Sequence, residues 1–93
     1  MEEITRFVAT SLTDTEQELY NNVSGGVITT IMLYNPNAES TDVTLSLDGV
    51  IFIFTLLTKE TRIIDTHIVT NLIKATGNLV NIHISGIQLE EVI

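Results

Sequence analysis

The chain has 93 residues, with twelve acidic and four basic side chains, no cysteine and a formal net charge of −8. Such an acidic chain repels nucleic acid and offers no row of Lys and Arg to neutralise phosphates. A domain of this length has a thin core, and because disulfides are excluded, we expect partner chains to supply additional stability.

We expect a soluble chain that forms one domain over residues 1–93. Met1 to Arg6 lack the basic and then apolar pattern of a signal peptide. The longest apolar run, Val50 to Leu57, is far shorter than the ~20 residues of a membrane-spanning helix. No repeat, low-complexity tract or linker marks a second domain.

Ile, Val and Thr together make 35 of the 93 residues, a composition typical of strands. Periodicity and turn residues predict strands at about 4–10, 16–23, 27–34, 42–48, 50–57, 61–68, 71–76 and 79–86. Turns are predicted between them at Asn35-Pro36-Asn37, Asp48-Gly49 and Gly77-Asn78. About eight short strands indicate an all-β fold, and we expect a β-sandwich of jelly-roll or Greek-key type.

Two interpretations remain open for the segment from Leu12 to Tyr20. Thr13-Asp14-Thr15-Glu16 has the form of a helix capping box, whereas residues 15–20 alternate as a strand would. We favour the strand, because Ser24-Gly25-Gly26 would stop a helix early. This glycine pair lacks the spacing of a phosphate-binding loop, and we predict a hairpin turn there.

The apolar pattern differs between the later strands. Val43 to Leu47 and Val80 to Ser85 alternate, which predicts one buried face each. Val50 to Phe54 is apolar on both faces, as expected for a strand covered by its own core and by another sheet or subunit. This run is therefore the best candidate for a subunit contact. Residues 89–93 are either a last edge strand or a loose tail.

Few side chains suggest chemistry. The only histidines are His67 and His83, and a strand would place Asp65 on the face of His67. A Ser85-His83-Asp65 hydrolytic arrangement can be drawn, but no nucleophile motif supports it. Zinc would need three or four convergent ligands, for which the chain has no motif. We predict no catalytic, cofactor-binding or metal-binding residues, and no enzyme.

A ligand- or carbohydrate-binding module is the alternative function. It would need exposed aromatic side chains, or a calcium site built from carboxylates such as Asp42 and Asp48. Most of the aromatic residues lie in strongly apolar strands, which favours a role in core packing. These five aromatic residues are Phe7, Tyr20, Tyr34, Phe52 and Phe54.

The order of segments from Leu12 to Val92 resembles that of small structural proteins of tailed bacteriophages. The matching segments are Thr15 to Tyr20, the strand Gly26 to Asn35, the T-V-T-L-type strand Asp42 to Gly49, and the strand Val80 to Gly86 with the hydrophobic and acidic tail Ile87 to Glu90. The resemblance lies in this layout of strands and turns.

This resemblance implies a non-enzymatic virion protein, a β-sandwich subunit of the tail, baseplate, neck or capsid surface. It also implies many copies in a homo-oligomer, a trimer or higher ring, in contact with other virion proteins. The chain would be synthesised in the cytoplasm of the host bacterium and located in the virion. The resemblance transfers no catalytic residue and no cofactor.

Overall fold

A computed structural model describes residues 3–89, which form seven strands and no helix. The all-β prediction is confirmed, and a sandwich of jelly-roll or Greek-key type is compatible with the sheet. In chain order the strands are β1 Ile4–Ser11, β2 Gln17–Tyr34, β3 Thr41–Leu47, β4 Val50–Leu56, β5 Thr61–Ile64, β6 Ile68–Thr76 and β7 Asn81–Gln88.

The predicted hairpin turn at Ser24-Gly25-Gly26 is wrong, because this segment is a bend within the 18-residue strand β2. Asn21 pairs with Leu72 and Gly26 pairs with Thr70, so β2 has three more residues than β6 between the same two pairs. Gly25 takes up part of this excess with a φ of +85°, which glycine adopts without strain. Two predicted strands are therefore one, and the count falls from eight to seven.

Antiparallel pairing places all seven strands in the order β1, β7, β2, β6, β3, β4, with β5 also paired to β2. The N-terminal part of β2 pairs with β6, and its C-terminal part pairs with β7 and β5. The bend thus divides the sheet into two layers: β1, β7, β5 and the end of β2 in one, and β6, β3, β4 and the beginning of β2 in the other.

The core lies between these layers and follows the alternation of the strands. Val43, Leu45 and Leu47 are buried along β3, and Ile82 and Ile84 are buried along β7. The alternation predicted for these two strands is confirmed. Each fully buried side chain of this size contributes roughly 1.5–3 kcal/mol to the free energy of unfolding. The whole core consists of Leu12, Ile28, Ile31, Leu33, Val43, Leu45, Leu47, Leu56, Ile73, Ala75, Val80, Ile82 and Ile84.

An aromatic pair covers two glycines at the bend. The rings of Phe7 and Tyr20 stack with centroids 4.1 Å apart and planes 8° apart. A Cβ added to Gly26 would lie 3.0 Å from the Phe7 ring, and one added to Gly86 would lie 2.7 Å from it. Glycine at these two positions therefore allows the rings to lie directly on the backbone.

Three further predictions have different outcomes. Residues 12–16 form no helix, and the strand begins at Gln17, so the strand interpretation of this segment is confirmed. The strand predicted at 61–68 ends at Ile64, because residues 65–67 connect β5 to β6 along the edge of β2. The C-terminal prediction falls on residues 89–93, of which all but Leu89 lie outside the described residues.

Candidate interaction surface

Strand β4 is fixed beside β3 by a two-residue turn at Asp48 and Gly49. Both residues have positive φ, 53° and 85°, as a type I′ turn requires. The Asp48 carboxylate accepts hydrogen bonds from the backbone N–H groups of Asn71 (2.8 Å) and Leu72 (3.0 Å). The Asn71 hydrogen bond is the main cause that lowers the pKa of Asp48 below its ordinary value. The turn is thus attached to β6.

β4 pairs with β3 alone among the described strands, so it is an edge strand. Its exposed fractions are 58% at Val50, 63% at Ile51, 46% at Phe52 and 64% at Ile53. We predicted that this run would be covered on both faces. Phe54 packs against the core, but no second sheet of the described chain covers Val50 to Ile53. The prediction that another subunit covers the strand stays open.

The other end of β4 is held by the fully buried Asn35. Its Nδ2 donates to the backbone oxygens of Glu39 (2.9 Å), Leu56 (3.2 Å) and Leu57 (3.1 Å). Its Oδ1 accepts a hydrogen bond from the N–H of Asn37 (3.0 Å). One amide therefore links the end of β2 to the end of β4. The sequence predicted a turn at 35–37 but gave no sign that Asn35 is buried.

Next to this end, Arg62 and Glu60 form an ion pair of 2.9 Å. Glu60 accepts a hydrogen bond from the N–H of Leu57 (2.7 Å), which is the main cause that lowers the pKa of Glu60, with Arg62 second. Nη2 of Arg62 also donates to the backbone oxygen of Thr55 (3.2 Å). The sequence gives no signal for this role of Arg62, because its position beside β4 depends on the pairing of β5 with β2.

An apolar cleft opens between the layers beside β4. Its volume is about 90 Å³. Phe52 and Phe54 of β4 line it from one layer, and Ile31 and Ile64 line it from the other. The core is therefore open to solvent along the side of the molecule where β4 and β5 are the edge strands of the two layers.

The hydrolytic arrangement considered from the sequence is not assembled among residues 3–89. Oγ of Ser85 lies 3.4 Å from Nδ1 of His83, at the limit of a hydrogen bond. Asp65 and His67 are exposed in the connection between β5 and β6, and no hydrogen bond or ion pair of the described residues joins Asp65 to His83. The shared strand face predicted for Asp65 and His67 does not form, because β5 ends at Ile64.

The two carboxylates considered for calcium are separated. Asp42 lies near the start of β3 and Asp48 follows its end, which in an extended strand places them about 20 Å apart. Asp42 accepts a hydrogen bond from Oγ1 of Thr55 (2.7 Å). In the described part of the chain, no three His, Cys, Asp or Glu side chains are grouped so that they could hold a metal ion.

A second groove lies on the outer face of the other layer, where β2, β5 and β7 meet. It has a volume of about 310 Å³, and its lining includes Met32, Tyr34, Thr61, Asn81 and His83. Tyr34 is its single aromatic side chain. The five aromatic residues are all partly exposed, and Phe52 is the most exposed. Phe7, Tyr20 and Phe54 pack against the core, which confirms the predicted role in core packing for three of the five.

No protein-family model matches this chain, and a search of curated proteins gives no match either. Residues 3–89 contain no helix of the length and apolarity that crossing a membrane requires.

Proposed function

We propose that this chain is a non-enzymatic structural subunit of a bacteriophage virion, a β-sandwich of jelly-roll or Greek-key type that assembles with copies of itself. The observation that carries self-assembly is the exposed apolar edge strand β4. Two parts of this proposal follow from the sequence resemblance alone. They are the location in the virion, at the tail, baseplate, neck or capsid surface, and the contacts with other virion proteins.

The distribution of charge supports assembly through β4. The chain carries a net charge of −8, yet no charged residue occurs between Val50 and Thr58. Exposed strands of monomeric proteins usually carry charges, because a bare apolar edge associates with other strands. A subunit of an assembly needs such an edge, since the partner chain buries the apolar surface that the thin core leaves exposed.

Light scattering after size exclusion tests self-assembly over a range of protein concentrations. We expect a discrete oligomer for the wild-type chain and a monomer for Phe52→Asp, because assembly would bury the new carboxylate without a partner. Val69→Asp is the matched control, since Val69 is 67% exposed and lies on β6, paired with Val27 of β2 and away from β4. A wild-type monomer at every concentration, or an oligomer unaffected by Phe52→Asp, would contradict assembly through β4.

The virion location has a separate test. Peptides of this chain should be found by mass spectrometry in particles purified from the phage that encodes it, in many copies relative to the portal protein. Their absence from purified particles would contradict the structural role even if the isolated chain assembles.

The groove around Tyr34 favours one second candidate, a ligand- or carbohydrate-binding module. Tyr34 could stack on a sugar ring while Asn81 and His83 supply hydrogen bonds. A glycan panel followed by thermal-shift measurements tests this role, with Tyr34→Ala as the binding-deficient variant. If no glycan changes the melting temperature, the binding-module function is contradicted and self-assembly is the one proposed function that stands.

A further inference from the structure

β1, β4 and β5 each pair with other described strands along one side only. Two stretches of other strands do the same: β2 before Gly26, which carries Glu18 and two register shifts, and β6 before Ile73, where the Asp48 carboxylate accepts the N–H groups of Asn71 and Leu72. β1 carries Arg6 and an irregular register between Arg6 and Val8, and β5 has only four residues and carries Arg62. Charges, irregular register and short length all oppose pairing with another chain. β4 has seven residues in continuous register and none of these features, so it is the one edge suited to accept a strand.

We propose that β4 pairs antiparallel with β4 of a second copy, about a twofold axis at Phe52, and so joins two sheets into one. This inference rests on the proposed function and deepens it, because it specifies the partner and the geometry of the contact. A contact of this kind is self-complementary, as a twofold interface requires.

The hairpin determines which backbone groups face the partner. Leu47 and Val50 flank the two-residue turn and form a hydrogen-bonded pair, and the pairs then alternate along the two strands. Val50, Phe52, Phe54 and Leu56 therefore direct their N–H and C=O groups toward β3. Ile51, Ile53 and Thr55 direct theirs toward the free edge.

Arg62 selects the register. Its guanidinium donates to the outward C=O of Thr55. The backbone N–H and C=O groups of the free edge that have no partner among the described residues are therefore mainly those of Ile51 and Ile53. An axis at Phe52 places Ile51 opposite Ile53 of the second copy and satisfies all four N–H and C=O groups of these two residues. It also pairs the entire apolar run 50–54 with itself and places no charge opposite another.

The same register covers the apolar cleft. Phe52 and Phe54 face the cleft, so their counterparts in the second copy would extend that layer across its opening. With roughly 150–250 Å² for a fully exposed large side chain, the exposed fractions of Val50 to Ile53 leave on the order of 400 Å² of apolar surface per copy. Strand pairing would bury part of this surface together with the main-chain edge, and Phe54 and the cleft lining add to it, against the ~800 Å² per partner of a standard interface.

Single cysteines test the register, because the native chain contains none. Ile51→Cys and Ile53→Cys are matched in strand, face and exposure. The proposed axis places residue 51 opposite residue 53 of the other copy, so each variant alone should remain uncrosslinked after oxidation. An equimolar mixture, combined while reduced and then oxidised, should form disulfide-linked heterodimers in about half of the pairs.

Crosslinking of Ile53→Cys with itself would place the axis at residue 53 and overturn the register. A mixture without crosslinks would overturn pairing through β4, as would an oligomer with an odd number of copies. Either result would leave the assembly function standing if light scattering still detects an oligomer, whereas a strict monomer would overturn both.

Ile53→Pro gives an independent test that does not depend on oxidation. The N–H of residue 53 faces the free edge, so proline there removes no hydrogen bond to β3. We expect a monomer with the strand content of the wild-type chain by circular dichroism. A variant that keeps both this strand content and the wild-type oligomer would overturn the proposal. If the variant does not fold, the cysteine mixture decides.

Discussion

Replacement of Asn35 by Ala should remove about 3 kcal/mol from the free energy of unfolding. The three hydrogen bonds from Nδ2 share two hydrogens, so the amide supplies two full donors and one acceptor. Each such bond contributes about 1 kcal/mol net, and because Asn35 is fully buried no water replaces the amide. The Leu57 oxygen retains its bond from the N–H of Glu60 (3.0 Å), which keeps the loss near this value.

Urea titration followed by circular dichroism measures this loss, at one fixed protein concentration because assembly shifts the apparent stability. With a slope of about 1–3 kcal/mol per molar urea, the midpoint should fall by roughly 1–3 M. Asn81→Ala is the control, because Asn81 is exposed on β7 and its replacement should change the stability by less than about 0.5 kcal/mol. A loss below about 1 kcal/mol for Asn35→Ala would refute the role assigned to this amide.

Three further substitutions have defined outcomes. Gly86→Ala would place a Cβ against the backbone oxygen of Val27, and it should lose about 3 kcal/mol in the same titration. In Gly49→Ala the new Cβ meets no atom within 4 Å, so the variant should lose only the ~1–2 kcal/mol that a positive φ costs. A larger loss for Gly49→Ala than for Gly86→Ala would contradict the packing described at the bend. The hydrogen bond from Asn71 lowers the pKa of Asp48 in the folded chain. The Asp48 carboxylate therefore stabilises the fold at pH values above its ordinary pKa of 3.8, and this contribution is lost as the pH falls through the lower pKa of the folded chain. Asp48→Asn should therefore lose less stability than the wild-type chain between about pH 7 and pH 3, and an equal loss would contradict the assignment.

Local patterns predicted the fold class and most strands. β-branched residues, the alternation of Val43 to Leu47 and the Asp48-Gly49 turn each act over a few residues, and each prediction agrees with the structure. The bend at Gly25 could not be predicted in the same way. The same glycine permits a hairpin or a bend, and the pairing of Asn21 and Gly26 with β6, far along the chain, decides between them.

The candidate surface was predicted only in part, because it too depends on contacts between distant segments of the chain. The sequence identified Val50 to Phe54 as the apolar run, but burial depends on whether β4 ends the sheet, which is a property of the whole strand order. The roles of Asn35 and Arg62 depend on segments that meet only in the folded chain. Polar residues in short loops give no sequence signal for such contacts, because most of them are exposed.

The participation of β2 in both layers affects how the protein folds. Neither layer has its full set of hydrogen-bonded neighbours until β2 is in place, so the two layers should gain and lose protection from hydrogen exchange together. The pairing of Ile4 with Ile87 also requires residues from nearly opposite ends of the chain to meet. Folding that depends on such distant contacts is slow, so a newly made chain would expose β4 for a long time before the layers close.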